Sequence, residues 1–369
     1  MKDLDSNSFK AIAERYKCVA CFKEYKQHEH FVEHMKKSYH SVHQPRCGVC
    51  EKFCKSFESL REHISGKLAK AHCSSIFSQK GCEVCLKVFP DLYALSEHQE
   101  SCILTAPAPI GTTDIQYNEY DPMEDEIYIG KCPEAVAIDC QLVGCYDGGR
   151  LDQLARVCLI DEEENIIFHT FVKPQEPVTD YRHEVTGLTE AHLRDAMPLA
   201  EVQAKILKIL YNGESVAKAR LHGGKAKLLV GHNLEHYLDG LLMNYPEKLL
   251  RDTSLYRPLM KTHVANASHT LKYLTKTYLG YDIRSGINDT YQDCVSVMRL
   301  YKRMRSQEHQ DEKTTMICSN NTKLHVGFDD RTSKELENMS PDQLFEISVS
   351  DYQCWCLDSR PRDPPREWY

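Results

Sequence analysis

No apolar run in this sequence approaches the roughly 20 residues that a membrane-spanning helix needs, which removes that mode of anchoring. Charge of neither sign prevails: 46 basic residues face 54 acidic ones for a net charge of −8, so no global field draws the chain to nucleic acid. The N-terminus lacks a secretory signal pattern, and that lack bears on the cysteines. Seventeen cysteines in a small exported protein would read as a disulfide framework. Without an export signal, and with nine of them crowded among histidines between residues 18 and 102, they favour metal binding. A soluble intracellular protein is expected.

A chain of 369 residues has room for two or three domains, at least one with a sizeable core. Its charge is unevenly spread. Residues 1–102 hold 16 basic and 13 acidic residues, net +3 against −11 for the remainder, a mild tilt compatible with an N-terminal nucleic-acid contact.

The N-terminal third repeats one unit three times. The first, Cys18-x2-Cys21-x12-His34-x5-His40, carries Tyr16, Tyr25 and Phe31 where a small ββα unit needs a core. Zinc takes four N/S ligands in a tetrahedron, and this spacing draws two from a hairpin and two from one helix face. The second unit opens as Cys47-x2-Cys50-x12-His63, with Leu60 as core, and then departs from the usual spacing: its next candidate ligands are His72 and Cys73. Cys54, at the position usually held by an aromatic, reads as core. The third is Cys82-x2-Cys85-x12-His98-x3-Cys102, with Phe89 and Leu95 as core. Such sites are closed and structural, and units this small depend on the metal to fold. The expected modules are 16–40, 45–73 and 80–102, holding up to three Zn2+.

The base-reading positions of these modules lack arginine. Helix positions −1, 3 and 6 are Gln27, His30 and Glu33, then Ser56, Ser59 and Glu62, then Asp91, Ala94 and Glu97. Position 6 is Glu in all three, facing a polyanion, with nothing to grip guanine. The connectors also lack the TGEKP-like linker of arrays that follow the major groove. Shape-based RNA binding or a protein contact fits better than sequence-specific DNA reading.

Residues 103–131 read as an acidic, flexible linker, with Pro107 and Pro109 before Glu124, Asp125 and Glu126. From Pro133 to Arg305 apolar strands alternate with helical patterns: strands at Ala135–Cys145, Arg156–Ile160 and Ile166–Val172, and helices at Met197–Tyr211, Leu234–Asn244, Thr270–Tyr278 and Thr290–Arg305. Residues 306–369 read as a polar tail with one short helix starting at Ser340-Pro341-Asp342. Within the tail, Cys354-Trp355-Cys356 reads as a buried apolar contact rather than a metal pair.

The run AVAIDCQLVGC at 135–145 resembles the first motif of the DEDDh 3′→5′ exonucleases, in the RNA exonuclease 4-like branch. The likeness continues through FVKPQEPVTDYRHEVTGLT at 171–189, LLVGHNLEHYLDGL at 228–241, LRDTSLYRPL at 250–259 and SHTLKYLTKTYLGYDI at 268–283. It implies a ribonuclease H-like α/β exonuclease fold over 132–305, a mixed sheet flanked by helices, preceded by the three ββα zinc modules. It also favours Cys73 as the fourth ligand of the second module, and a nuclear or nucleolar location, although no strong basic cluster accompanies it.

Four acids and a histidine base characterise that family, because two divalent ions must be held about 3.5 to 4 Å apart to hydrolyse a phosphodiester. Carried over by position, Asp139 and Asp293 are retained. Gln141, Tyr237 and Asn288 stand where the family has Glu, Asp and His. Gln offers a carbonyl oxygen without charge, Tyr keeps its phenolic proton near neutral pH, and Asn cannot act as a general base. Glu235 and Asp239 flank Tyr237 at two residues, about 200° around a helix, so they should face away. Asp289 is displaced by one position from the base, and His232 and His236 read as packing or surface residues. The expectation is a degenerate, non-catalytic exonuclease domain acting by RNA or protein binding. The alternative is a Mg2+- or Mn2+-dependent 3′→5′ exonuclease working through residual metal binding at Asp139 and Asp293.

Overall fold

The computed structural model describes residues 16–17, 24–37, 45–67, 69–111, 132–222, 224–262, 264, 267–307, 332–340, 343–344 and 354–359. These fall into two compact units, one drawn from residues 1–46, 51–54 and 309–353 and the other from 47–50, 55–308 and 354–369.

The first unit is built on the first module. Strands β1 (Tyr16–Lys17) and β2 (Glu24–Tyr25) pair antiparallel, and helix α1 (His28–Lys37) packs beside them. Phe31, Val32 and Met35 lie on one helical face and are buried with Tyr16 and Tyr25, as the sequence pattern predicts for two of these aromatics and Phe31. The core also takes in Leu336, Met339 and Leu344, from a stretch expected to be plain tail. A short helix, Ser333–Glu337, starts with a capping box between Thr332 and Glu335. Ser340 and Gln343 exchange a similar pair of bonds, while Pro341 and Asp342 lie outside the described residues. The Met339 carbonyl accepts from His28 Nε2 at 3.2 Å.

The second unit opens with helices α2 (Phe57–Ser65), α3 (Ala71–Lys80) and α4 (Leu92–Cys102) of the second and third modules. Its sheet has the strands β3 (Ala135–Cys145), β4 (Leu151–Ile160), β5 (Ile166–Lys173), β6 (Val178–Asp180), β7 (Met197–Pro198), β8 (Leu228–Gly231) and β9 (Leu250–Asp252). Their order is β7-β5-β4-β3-β8-β9, with β6 paired to β3. β3 is antiparallel to β4 and parallel to β8, so the sheet is mixed, as expected.

β3 lies at the centre of this sheet and is buried on both faces, which explains why its apolar run is nearly continuous. Each fully buried Val, Ile or Leu there contributes about 1.5–3 kcal/mol. Short helices α5 (His183–Thr186) and α6 (Glu190–Leu193) precede α7 (Leu199–Tyr211) and α8 (Val216–His222). Then come α9 (Leu234–Gly240), α10 (Leu271–Tyr278) and α11 (Thr290–Arg305). α11 lies across β3 and β4 and buries Cys294, Val297, Met298 and Tyr301. The Asp289 side chain caps its start by accepting from Gln292 N.

Three segments attach to this domain, and of these only the buried Cys354-Trp355-Cys356 contact is legible in the sequence. Residues 102–111 run beside α11 from its end to its start: Arg303 donates to Cys102 O, Arg299 to Thr105 O and Gln292 to Pro107 O. Gly111 N then donates to Asp289 Oδ2 at 2.7 Å, and Arg156 donates to Gly111 O. The first nine residues of the expected spacer are therefore anchored, with the Thr105, Pro107 and Gly111 carbonyls accepting from side chains far along the chain; 112–131 lie outside the described residues. In the tail, Trp355 stacks on Tyr256 at 3.8 Å and Arg251 forks onto Asp358 at 2.7 and 2.6 Å. Cys354, Trp355 and Cys356 are buried. The third attachment is that of the second module. Its Ser56, at a base-reading position, is bonded to Thr262 at 2.6 Å, its Glu58 accepts from Thr262 N, and Phe57 packs on Tyr278. That end of the helix faces the exonuclease-like domain.

Candidate functional site

The second and third modules each bring four ligand atoms together. Cys47, Cys50, His63 and Cys73 form one group and Cys82, Cys85, His98 and Cys102 the other, with the ligand atoms of each group within 4.8 Å of one another. Cys73 is fully buried at the start of α3, whereas its neighbour His72 is exposed; about 100° of helix rotation separates the two candidates. Cys54 is buried outside the group. Burial, then the hydrogen bond to Cys50 and the nearby Cys47, pushes the Cys73 thiol up to about 12. Three thiolates and an imidazole are a set that fits Zn2+, which would displace those protons on binding. In the first module His34 stacks on Tyr25, and Cys18, Cys21 and His40 lie outside the described residues.

The five positions carried over from the exonuclease pattern converge on one face of the sheet. Asp139 and Gln141 lie two residues apart on β3, Tyr237 comes from α9, Asn288 precedes α11, and Asp293 lies in its first turn. Tyr237 donates its phenolic proton to Asp139 Oδ1 at 2.7 Å. Gln141 Nε2 donates to the Asn288 carbonyl at 2.7 Å, and Asn288 N donates to Val185 O. Tyr237 is thus bonded to a retained acid, Gln141 to the Asn288 main chain, and Asn288 is held through its own N and O.

The fifth position introduces a residue that the sequence pattern did not single out. Arg284 directs Nε and Nη2 at Asp293 Oδ2, at 2.8 and 2.6 Å. The acid is 2 % exposed at its side chain and the arginine 29 %, so the guanidinium closes the pocket over the carboxylate. Arg284 has φ +57°, a left-handed conformation that costs a non-glycine residue roughly 1–2 kcal/mol.

Electrostatics follow from burial. Desolvation pushes Asp139 up to about 8, with the Asp293 charge adding to it, while Arg284 and the Tyr237 bond oppose. Burial raises Asp293 as well, against the pull of Arg284. The Tyr237 phenol is raised far above its usual range by burial and by Asp139, so it stays a donor. His232 is driven down to about 4 by burial and is therefore neutral, bonded to Thr253. Asp289 spends its two oxygens on Gly111 N and Gln292 N. Glu235 and Asp239 are exposed on the far side of α9, as their helical phase requires. Two buried acceptors, Asp293 Oδ1 and Gln141 Oε1, have no partner among the described residues.

These residues do not fit a pair of divalent ions. Hard cations of that kind need several carboxylate oxygens, and of the two carboxylates here one is capped by a phenol and the other by a guanidinium.

A central mixed sheet with α11 across it and the buried acids Asp139 and Asp293 on one face define an exonuclease-type α/β domain of the ribonuclease H-like class. Residues 136–300 match the RNase_T family, described as an exonuclease. The chain thus carries a DEDDh-superfamily exonuclease domain of the RNA exonuclease 4-like branch. It is 33% identical over 172 residues to RNA exonuclease 4 of Candida glabrata, covering 47% of this chain and 60% of that protein. To RNA exonuclease 4 of Homo sapiens it is 29% identical over 233 residues, covering 55% and 51%. The chain thus spans between half and three-fifths of the length of these relatives. Among solved structures, the Saccharomyces cerevisiae Pan2 pseudoubiquitin hydrolase-RNA exonuclease module in complex with A7 RNA matches with a TM-score of 0.40 and 20% identity, covering 51% of this chain and 31% of that one.

Proposed function

We propose that this protein is a pseudonuclease: a zinc-module protein whose exonuclease domain binds nucleic acid, RNA in preference to DNA, without hydrolysing it. The observation that carries this reading is the pairing of both retained acids with protein donors, Asp139 with Tyr237 and Asp293 with Arg284. Going from four carboxylates to two weakens divalent binding and lessens repulsion of a phosphate backbone. Asn288 offers no base for an attacking water, a role worth roughly 10²- to 10⁴-fold in rate. Zn2+ in the two Cys3His groups would then serve the fold, with protein partners as further ligands of the module surfaces. The resemblance also fits a nuclear location.

The test is degradation of 3′ end-labelled single-stranded RNA and DNA in Mg2+ and in Mn2+, comparing wild type with the reversion Gln141→Glu, Tyr237→Asp, Asn288→His. Wild type is expected to be silent. The reversion is expected to gain activity fully only when Arg284→Ala is added, since the guanidinium otherwise still occupies Asp293. Degradation by wild type that Asp139→Ala abolishes would refute the reading in favour of a metal-dependent exonuclease.

A further inference from the structure

An arginine in the left-handed region, forked onto one oxygen of a buried acid, is an expensive arrangement that the fold nonetheless maintains. Nε and Nη2 serve Asp293. Nη1 has no bond to a described residue, and the side chain is 29 % exposed. The same pocket holds two orphaned acceptors on residues that are almost wholly buried: Asp293 Oδ1, at 1 % exposure, and Gln141 Oε1, at 6 %. A cation with a free N–H beside acceptors that lack donors complements a ligand bearing both an anion and hydroxyl groups. Close by, Val185 and Ile287 are exposed at 52 % and 54 %, and the bond from Asn288 N to Val185 O ties the segment before α11 to the short helix α5. An apolar pair of that kind offers a face on which a base can rest.

We propose that Arg284 takes the place of the divalent cation as the phosphate ligand of this pocket, so that a single-stranded RNA 3′ end binds without magnesium. The phosphate meets the free edge of the Arg284 guanidinium, the terminal ribose hydroxyls donate to Asp293 Oδ1 and Gln141 Oε1 as the pocket opens, and the base lies against Val185 and Ile287. Asp293 in this arrangement orients the arginine, as a carboxylate orients a guanidinium through a fixed fork. The inference rests on the pseudonuclease reading and gives its ligand chemistry.

The experiment is fluorescence anisotropy of a 5′-fluorescein single-stranded oligoribonucleotide with zinc-loaded full-length protein, in magnesium-free buffer and then with magnesium added. Chelators are avoided because they would strip the zinc modules. Wild type should bind equally, within about twofold, with and without magnesium. Arg284→Gln alone leaves Asp293 buried and unpaired and could unfold the domain, so the informative variant is Arg284→Gln with Asp293→Asn, its folding checked by circular dichroism. This variant should lose about tenfold in affinity, the size expected for one charge-assisted bond. It should also lower the slope of log affinity against log salt by about 0.7, one phosphate contact on a single strand. A 3′-phosphorylated oligonucleotide should bind more weakly than its 3′-hydroxyl counterpart.

Binding that requires magnesium, a doubly substituted protein that binds like wild type, or no binding by wild type would each overturn the inference. A gel run on the same samples reads the pseudonuclease proposal separately: RNA shortened by wild type refutes that proposal, whatever the anisotropy shows.

Discussion

Asp139→Asn should stabilise the protein, and the gain should grow with pH. The carboxyl is fully buried, and its folded value, about 8, lies well above the 3.8 of an ordinary aspartate. A raised acid binds its proton more tightly in the folded state than in the unfolded one. Folding therefore loses stability as pH rises from about 4, where the unfolded carboxyl ionises, to about 8, where the folded one does, and the loss is complete above that. At 1.36 kcal/mol per unit, the penalty grows from roughly 2 kcal/mol at pH 5 to roughly 5 kcal/mol at pH 8, upper figures for a buried site beside Arg284 and Arg156. Asparagine carries no such penalty and keeps an oxygen for the Tyr237 hydroxyl. The difference between variant and wild-type urea midpoints should widen by about 3 kcal/mol between pH 5 and pH 8 once multiplied by the m value. Taking the difference removes the titration of cysteines and histidines common to both proteins. A flat difference across that range would refute the reasoning, and would mean that Arg284 and Tyr237 already neutralise the cost of the charge.

Two further outcomes concern the parts that frame the pocket. Cys73→Ser should remove one zinc per chain, measured by metal analysis of purified protein, while His72→Ala should leave the zinc content unchanged; the opposite pattern would reassign the fourth ligand. Asp358→Ala should cost about 3–5 kcal/mol in urea denaturation, because it strands the Arg251 guanidinium in a buried site, here 4 % exposed. Replacing both partners by Arg251→Met with Asp358→Leu should recover most of that loss, and a single substitution costing under about 1 kcal/mol would show that the tail contact contributes little.

The parts of this molecule legible in the sequence are those with a local period. β3 occupies Ala135–Cys145 and α11 Thr290–Arg305, the expected bounds, because a central strand and a long amphipathic helix declare themselves residue by residue. Departures came where one backbone angle intervened. The helix expected from Met197 begins at Leu199 because Pro198 sits at its cap. The one expected to reach Asn244 stops at Gly240, and Leu242 turns left-handed at φ +48°. The ligand groups of the second and third modules followed from spacing, except that spacing could not choose between His72 and Cys73. The direction of α3 turns Cys73 into the group and leaves His72 exposed, and direction is a tertiary property.

Arg284 shows why the rest was illegible. Reading a degenerate motif position by position finds what has been lost, and in this chain Gln141, Tyr237 and Asn288 were found that way. A compensating group need not occupy any motif position. Arg284 lies nine residues before Asp293 in a loop with no period, its backbone left-handed and its side chain forked onto the acid. The same holds for Gly111, which meets Asp289 across 178 positions of sequence. A lost carboxylate ligand changes the charge that its neighbours must balance, and the balancing cation can come from any segment the fold brings within reach. For a degenerate site, then, the useful question after listing missing residues is which buried charges remain and what now faces them. Here Asp139 faces a phenol and Asp293 faces a guanidinium, and it is on that pairing, more than on the three substitutions taken singly, that the proposed loss of hydrolysis rests.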